Sequence, residues 1–335
     1  MDPQYKNRFT PEIKTEIARR YGIPVEDLHA LDGFESFIFE FAWNGRDHIL
    51  RVGHSHRRPE SLVQGEAEWL RYLQMSGTAS VAAPVESRTG SLVEVFDDGH
   101  GASFVATAFE KAPGRHMRQA DAVPELFETW GALLGRIHAL SVDFRPQFPR
   151  PHWDDPLMLD TADLLPQSEA SVLQRYQALR AHLDKLPRSD PLVYGMIHQD
   201  AHAGNFFIHE GQDGSTAITL FDFDDCCFSW YANDIAIVLF YAVMGQPDEA
   251  GFTRTFLTHF LRGYRREKEI DSTWLAEIPN FLKLREIDLY AVIHRSFDVT
   301  NITNPWVQRF MNGRKERLES GTAFLEFDFT TLDRP

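Results

Sequence analysis

The sequence predicts an α+β fold in two parts: a small region built on an antiparallel sheet at residues 1–109 and a larger, mostly helical region at residues 110–335. Three observations lead to this prediction. Runs in which every second residue is apolar dominate the first region, as in strands that bury one face. Apolar residues spaced three and four apart dominate the second region, as in amphipathic helices. A chain of 335 residues is long enough to bury two cores.

The first region contains a hairpin between two helices, followed by two further strands. In "GFESFIFEFAW" (33–43), Phe37, Phe39 and Phe41 lie on one face of a strand, and "NGRD" (44–47) is a typical hairpin turn. The predicted elements are a helix at 11–21, strands at 33–43 and 48–52, a helix at 60–77 that ends at Gly77, and strands at 91–96 and 102–109.

The second region follows "EKAPG" (110–114), and we place the boundary near Phe109–Gly114. A short β segment at 193–222 interrupts the helical spacing. The predicted helices are 123–141, 168–186, 232–245, 252–265, 273–297 and 303–320.

Composition and charge favour a globular protein of the cytoplasm. The formal net charge of -15 argues against nucleic acid or an anionic membrane as the main partner. The two cysteines, Cys226 and Cys227, are adjacent and form no disulfide framework, which predicts a reducing compartment. The N-terminal stretch lacks the apolar core of a signal peptide, and the apolar run Ile235–Met244 is too short to span a bilayer.

Two polar segments carry the residues with the clearest chemical meaning. "HQDAHAGN" (198–205) places Asp200 five residues before Asn205, and "FDFDD" (221–225) places Asp222 at the end of a predicted strand. In phosphoryl transfer, an aspartate accepts the proton of the acceptor hydroxyl, while an amide oxygen and a second carboxylate hold a divalent cation. Hard oxygen ligands suit Mg²⁺. We therefore predict that Asp200 is catalytic and that Asn205 and Asp222 bind metal.

The two segments resemble the aminoglycoside phosphotransferase and choline kinase family, which are protein-kinase-like small-molecule kinases. The catalytic loop of that family is approximately H-x-D-x-x-x-x-N, and its metal segment is approximately I-D-F-x-x followed by D-[LI]-A. The matching stretches here, in the family's order over about residues 30–240, are "ILRV" (49–52), "EAEWLRYL" (66–73), "ATAFEKAPG" (106–114), "LGRIHAL" (134–140), "HQDAHAGN" (198–205), "FDFDD" (221–225) and "NDIA" (233–236).

The resemblance implies a bilobal protein-kinase-like fold, with a nucleotide-binding N-lobe at 1–109 and a catalytic, substrate-binding C-lobe at 110–335. It implies that Arg51 contacts the nucleotide phosphates and pairs with Glu66. It also implies that the backbone of Phe109, Glu110 and Lys111 receives the adenine. The expected activity is transfer of the γ-phosphate of ATP, with Mg²⁺, to a hydroxyl of a small molecule.

The sequence departs from the kinase pattern at several positions. Arg51 stands where most kinases have lysine, but it keeps the charge and can bind phosphate with two N–H groups. "GFESF" (33–37) has a single glycine, so the loop that covers the phosphates is not glycine-rich. Asp224 replaces the glycine of the D-F-G motif, and Gln199 stands where glycine or arginine is commoner.

Other interpretations of these residues remain open. His198 and His202 have the i, i+4 spacing of a zinc-binding helix, although Gln199 stands where that motif requires Glu and Gly204 disfavours a helix. The aspartates and the asparagine of the two polar segments could instead serve as turn residues. Asp234 is expected to anchor the catalytic loop by hydrogen bonds rather than bind metal.

Two further alternatives concern the charged pair and the activity. Arg51 and Glu66 could form an ordinary surface ion pair. The chain could also be a nucleotide-binding protein without transferase activity, or a protein AMP transferase. The products formed from ATP would separate these functions.

The segment 151–174 bears on the acceptor. It contains Asp154, Asp155, Asp160, Asp163 and Glu169 but no Lys or Arg. An acidic wall would attract a cationic acceptor, and Trp153 or Trp230 could add a cation–π contact. A solvated acidic surface would have the same composition. The expected acceptor is a hydroxylated amine or an aminoglycoside.

Overall fold

The computed structural model describes residues 3–78, 80–211 and 213–333, and the chain forms two compact units. The division into lobes at 1–109 and 110–335 remains a prediction, and residues 1, 2, 334 and 335 of those ranges lie outside the described residues. Within the described part, the first unit comprises Met1–Met117, Asp143–Pro151 and Asn205–Cys226, and the second comprises Arg118–Val142, His152–Gly204 and Cys227–Pro335.

The helices and strands follow in chain order. The helices are α1 (Pro3–Lys6), α2 (Pro11–Tyr21), α3 (Glu60–Met75), α4 (Pro124–Ser141), α5 (Thr161–Leu164), α6 (Ala170–Leu183), α7 (Tyr231–Val243), α8 (Glu249–Tyr264), α9 (Ser272–Ser296), α10 (Pro305–Met311) and α11 (Arg314–Ser320). The strands are β1 (His29–Leu31), β2 (Phe37–Trp43), β3 (Arg46–His54), β4 (Pro84–Val85), β5 (Glu94–Asp97), β6 (Ser103–Glu110), β7 (Arg115–His116), β8 (Tyr194–Ile197), β9 (Phe206–Glu210), β10 (Thr216–Leu220) and β11 (Cys227–Trp230).

The first unit is built on an antiparallel sheet with the strand order β1-β2-β3-β6-β4, and β5 also pairs with β6. The predicted hairpin between β2 and β3 is confirmed. Asn44 and Gly45 have φ angles of 50° and 73°, the two positive values that the tightest hairpin turn requires. Asn and Gly are the residues that adopt these values at least cost.

The alternation in β2 buries one face of the sheet. Phe39 and Phe41 are buried, as predicted, and α2 packs on the same core through Ile17 and Tyr21. The Tyr21 hydroxyl donates a hydrogen bond of 3.1 Å to the Ala106 carbonyl, so this buried polar atom is satisfied. The predicted helix at 11–21 is also confirmed.

Helix α3 presents one buried face at a spacing of three and four residues, which includes Leu62, Glu66, Leu70 and Leu73. A charged residue on this apolar face requires a partner, because an unpaired buried carboxylate is costly. The helix ends two residues before the predicted end at Gly77, which adopts a φ of 84°.

A smaller sheet, with the order β10-β9-β7, positions Asn205 and Asp222 in the first unit. In its register Leu220 lies opposite Phe206. Asn205, directly before β9, and Phe221, directly after β10, are therefore neighbours, and the Phe221 N–H donates to the Asn205 carbonyl at 2.9 Å.

The second unit is mostly helical and includes the strand pair β8 and β11. Helix α7 contains most of the apolar run at 235–244 and is almost entirely buried. In the described part of the chain, no helix is long and apolar enough to cross a membrane. The single helix predicted at 303–320 is wrong. The chain breaks after α10, and Gly313 adopts a left-handed φ of 64° before α11 begins.

Helices α4 and α8 pack closely because glycines lie at their contact. A Cβ atom on Gly131 would lie 1.9 Å from the Phe260 carbonyl oxygen, and one on Gly263 would lie 1.9 Å from the Glu128 carbonyl oxygen. Real Cβ atoms do not approach a backbone oxygen this closely, so a side chain at either position would push the helices apart.

We expect Gly131→Ala to destabilise the protein by about 1–3 kcal/mol, although alanine favours a helix by about 1 kcal/mol relative to glycine. The overlap with a backbone atom of α8 outweighs the gain in helix propensity. Thermal or urea unfolding measures the change, with the exposed Thr258→Ala on α8 as a control that removes no buried contact. Equal or greater stability of Gly131→Ala would show that the helix contact can relax.

Candidate active site

The first unit contains a cavity of about 340 Å³. Mostly apolar walls with a few charged groups are typical of small-molecule sites of this size. The charged lining includes Arg51, Glu66 and Asp222. The apolar lining includes Leu31, Ile38, Ile49, Leu70, Ala82, Phe109, Ala112, Phe207, Phe221 and Phe223.

Arg51 and Glu66 form a buried ion pair with two parallel hydrogen bonds. Nη1 of Arg51 donates to Oε1 of Glu66 at 2.9 Å, and Nη2 donates to Oε2 at 2.5 Å. The two side chains are 10% and 1% exposed, so the alternative of a surface ion pair is wrong. The guanidinium also lies 5.1 Å from the centre of the Phe109 ring, a cation–π distance.

Arg51 stays protonated in this buried ion pair. Burial alone would lower the pKa of the guanidinium, but Glu66 and Asp224 raise that pKa above its ordinary value. A permanent positive charge therefore lies in the cavity wall, which suits a phosphate group.

The segment at residues 109–112 also lines the cavity. The N–H groups of Glu110 and Lys111 already donate to the carbonyls of Ala83 (2.8 Å) and Asp47 (3.1 Å). The Ala112 N–H, by contrast, has no hydrogen-bond partner among the residues that the structure describes. A base in this cavity can therefore accept from the amide one residue beyond the predicted segment.

Asn205 and Asp222 lie at the same end of the β9–β10 hairpin, and Asp222 lines the cavity. Asp222 adopts a left-handed φ of 64°, a conformation that costs a non-glycine residue about 1–3 kcal/mol and occurs often at functional sites. Its Oδ1 lies 3.9 Å from Nη1 of Arg51.

The carboxylate of Asp222 has more negatively than positively charged neighbours. Burial is the largest cause that raises its pKa, to about 7; Arg51 opposes this shift, and Asp224 and Asp225 add to it. Because 56% of the side-chain surface is open, water relieves part of the burial effect, and the repulsion between carboxylates remains. Hard oxygen donors with excess negative charge fit a divalent cation.

Asp224 and Asp225 pair with two arginines that the sequence analysis did not select. Arg57 contacts the Asp224 carboxylate and lies 3.3 Å from Asp225, and Arg58 donates to Asp225 at 2.7 Å. Burial would raise the pKa of Asp224, but Arg57, Arg51 and Arg58 lower it well below its ordinary range. The aspartate in place of the D-F-G glycine is thus held ionised by this arginine cluster.

Arg150 is a further residue that the sequence analysis missed. Its buried guanidinium donates to three backbone carbonyls of the first unit: Leu62 at 2.7 Å, Asp224 at 2.8 Å and Cys226 at 2.8 Å. It therefore ties the start of α3 to the segment that follows Asp222. No local motif marks this role, because Leu62 lies 88 positions before Arg150, and Asp224 and Cys226 lie 74 and 76 positions after it.

The loop at residues 198–204 of the second unit, the predicted catalytic loop, holds Asp200 between two donors. Nη2 of Arg285, from α9, donates to Oδ1, and Nε2 of His202 lies 3.3 Å from Oδ2. Burial would raise the pKa of Asp200, but Arg285 and then His202 and His198 lower it well below its ordinary range. The carboxylate is ionised and oriented.

Asp234 anchors this loop by hydrogen bonds, as the sequence predicted. Its two oxygens accept the N–H groups of His198 and Gln199, both at 2.9 Å. Nε2 of His138 lies 3.0 Å from Oδ2 of the same carboxylate. Both Asp234 and His138 are fully buried, so the anchor is shielded from water.

Gln199 adopts a left-handed φ of 71°, which explains why glycine is commoner at its position. Its side-chain carbonyl accepts from Asn233 at 3.2 Å and from the Cys227 thiol at 3.6 Å. Both cysteines are buried and form no disulfide. The side chain therefore compensates for the backbone strain by joining the loop to its surroundings in the second unit.

The zinc alternative is wrong. His198 and His202 do not share a helix, and Nδ1 of each accepts a backbone N–H instead, from Asp200 and Gly204 respectively. Across residues 3–78, 80–211 and 213–333, no three His, Cys, Asp or Glu side chains cluster as a metal site.

The acidic segment 151–174 is largely paired with the chain's own groups. Asp154 contacts Arg180 at 3.3 Å and Arg188 at 3.0 Å, and both guanidiniums lie over the Trp153 ring. Glu169 pairs with Lys315 at 2.8 Å. The side chains of Asp155 and Asp160 each accept a backbone N–H of their own segment.

Comparison with known proteins places this geometry in a family. The sequence matches the phosphotransferase enzyme family over residues 29–270. It is 36% identical to the amicoumacin kinase of Bacillus subtilis (strain 168) over 328 residues, which cover 96% of this chain and 95% of that protein.

Solved structures agree with the sequence match. An amicoumacin kinase in complex with AMP-PNP, Ca²⁺ and Ami superposes with a TM-score of 0.91 at 35% identity, covering 99% of this chain and 100% of that chain. A microcompartment-associated aminopropanol kinase superposes with a TM-score of 0.73 at 22% identity, covering 93% and 98%. At 22% identity, the likeness to the aminopropanol kinase shows a shared fold and nothing further.

These matches confirm the predicted fold class, which is α+β and protein-kinase-like. They also confirm the resemblance to the aminoglycoside phosphotransferase and choline kinase family. The chain therefore belongs to the phosphotransferase enzyme family and is a small-molecule kinase.

Proposed function

We propose that this kinase transfers the γ-phosphate of ATP to a hydroxyl of amicoumacin or of a closely related molecule. The observation that carries the proposal is the similarity to an amicoumacin kinase over nearly the whole of both chains. A related structure at 35% identity holds a nucleotide analogue, a divalent cation and Ami together, which supports the same set of ligands here.

The cavity of the first unit takes the nucleotide in this proposal. Its apolar walls suit an adenine, and Phe109, Glu110 and Lys111 line the space together with the unpaired N–H of Ala112. Arg51, held by two hydrogen bonds to Glu66, contacts the phosphates. Because Glu66 fixes the guanidinium in advance, nucleotide binding needs little reorganisation of this side chain.

Asn205 and Asp222 hold the divalent cation, which we assign as Mg²⁺. When bound, Mg²⁺ supplies neutralisation of the phosphate charge. Asp222 contributes a carboxylate that lies among other carboxylates and is open to the cavity, so a cation relieves its repulsion. Asn205 contributes a neutral amide oxygen, and its backbone lies at the same end of the hairpin, where its carbonyl accepts the Phe221 N–H at 2.9 Å.

Asp200 receives the acceptor hydroxyl. A bond forms between the hydroxyl oxygen and the γ-phosphorus, the bond from that phosphorus to the β–γ bridging oxygen breaks, and ADP leaves. The hydroxyl proton passes to the Asp200 carboxylate and then to solvent. Because Arg285 and His202 lower its pKa, Asp200 is a weak base, so it mainly orients the hydroxyl and takes the proton late.

A cationic acceptor remains a proposal that rests on the net charge of -15. The acidic segment 151–174 gives it little support, because Arg180 and Arg188 already pair with Asp154. Those two arginines also occupy the ring faces of Trp153 and Trp230 that a cationic acceptor would need.

We expect the purified chain, given ATP and Mg²⁺, to convert amicoumacin to a product heavier by one phosphoryl group, with one ADP per product. Mass spectrometry of both products makes the measurement, with aminopropanol and spectinomycin as comparison acceptors. If only a comparison acceptor is phosphorylated, the proposed acceptor is wrong. An AMP group on a protein instead of ADP release would indicate AMP transfer.

Asp222→Ala should weaken binding of Mg–ATP by about 10-fold or more, because it removes the charged metal ligand. The observable is the rise in melting temperature that ATP causes with Mg²⁺ compared with ATP and a chelator. Asp213→Ala, an exposed aspartate in a loop of the same unit, is the matched control. An unchanged Mg²⁺-dependent rise in the Asp222 variant would exclude this residue as the ligand.

A further inference from the structure

Arg285 contacts the loop that carries Asp200, although the two residues are far apart in the sequence. It lies on α9, 85 residues after Asp200, and only 17% of its side chain is exposed. Its Nη2 donates to Oδ1 of Asp200 and, at 2.8 Å, to the Tyr241 hydroxyl. Two acceptors from different elements therefore fix one nitrogen of the guanidinium.

Tyr241 supports both donors that act on Asp200. The Arg285 guanidinium lies 5.2 Å from the centre of the Tyr241 ring, and the His202 ring packs against the same tyrosine at 4.5 Å. His202 accepts the Gly204 N–H on Nδ1 at 2.9 Å, which leaves its Nε2 to donate to Oδ2 of Asp200. One aromatic ring thus aligns a donor for each carboxylate oxygen.

The hydrogen bonds of Arg285 are concentrated on one nitrogen. Its Nη2 makes both bonds, while its Nε is buried and has no partner among the residues that the structure describes. The buried Asp288 on the same helix also attracts the guanidinium, but the Asp288 carboxylate accepts from the Thr161 hydroxyl at 2.7 Å, whereas Nη2 of Arg285 donates directly to Asp200.

We propose that Arg285 is a positioning residue of the phosphotransfer reaction, which orients the Asp200 carboxylate for the acceptor hydroxyl. A carboxylate has about four lone-pair directions. Arg285 contacts one oxygen of Asp200 and His202 the other, which fixes the plane of the carboxylate. The inference rests on the proposed role of Asp200 in catalysis.

Removing the guanidinium should slow phosphotransfer without changing nucleotide binding. We expect Arg285→Met to lower kcat about 10- to 100-fold, the factor for one lost charge-assisted hydrogen bond, with the KM for ATP unchanged. Arg285→Lys keeps the charge and should recover part of the loss. Tyr241→Phe removes only the aligning hydroxyl and should cause a smaller loss.

The control variant is Arg295→Met, an exposed arginine on the same helix. Melting temperatures with and without Mg–ATP show whether each variant folds and binds nucleotide. A structural role alone would lower the melting temperature without lowering kcat, or would change the KM for ATP as much as kcat. Either result would overturn the inference, as would wild-type kcat in Arg285→Met.

A double variant tests whether Arg285 acts through Asp200. If it does, Asp200→Asn combined with Arg285→Met is no slower than Asp200→Asn alone, because the positioned group is already gone. Multiplied losses would contradict the inference.

The choice of acceptor separates this test from the proposed function. If the wild-type chain does not phosphorylate amicoumacin, the proposed acceptor is wrong. The same variants are then compared by the slow release of ADP with water as the acceptor, which needs no identified substrate. Loss of this release in Arg285→Met but not in Arg295→Met supports the inference; equal release in all three proteins overturns it.

Discussion

The buried carboxylate of Asp234 holds the backbone of the loop that carries Asp200, the predicted catalytic residue. It accepts two successive backbone N–H groups, from His198 and Gln199, and these directly precede Asp200. His138 contacts the same carboxylate and also the Tyr264 hydroxyl at 2.9 Å. Burial lowers the pKa of His138, which favours the neutral ring that donates one proton and accepts another. The left-handed backbone at Gln199 persists because Asp234 holds the N–H of Gln199 and the N–H of the residue before it.

Paired charges organise the first unit in a comparable way. Glu66 holds Arg51 from one side of the cavity wall, while Arg57 and Arg58 hold Asp224 and Asp225. Asp222 is left as an open carboxylate near several others, where a cation is favoured. Breaking a buried pair strands its partner charge, so these residues depend on one another for stability as well as for chemistry.

Local sequence patterns predicted the parts of the site that are contiguous in the chain. The strands with alternating Phe39 and Phe41, the turn at Asn44, and the spacing of Asp200 and Asn205 all follow from short-range rules. Arg150 and Arg285 could not be found this way, because their partners lie between 44 and 88 residues away in the chain. The pairing of Asp154 with Arg180 and Arg188 was hidden for the same reason, so composition alone left an acceptor wall and a solvated acidic surface equally open.

We propose that nucleotide binding and phosphotransfer depend on separate residues. In this account, Asp200 acts on the acceptor and not on the nucleotide. The most direct measurement compares wild-type and Asp200→Asn protein for turnover and for the stabilisation that Mg–ATP confers on melting. We expect turnover to fall about 100- to 10,000-fold while the nucleotide-dependent stabilisation stays at its wild-type value. Near-normal turnover, or loss of nucleotide binding together with turnover, would contradict the assignment.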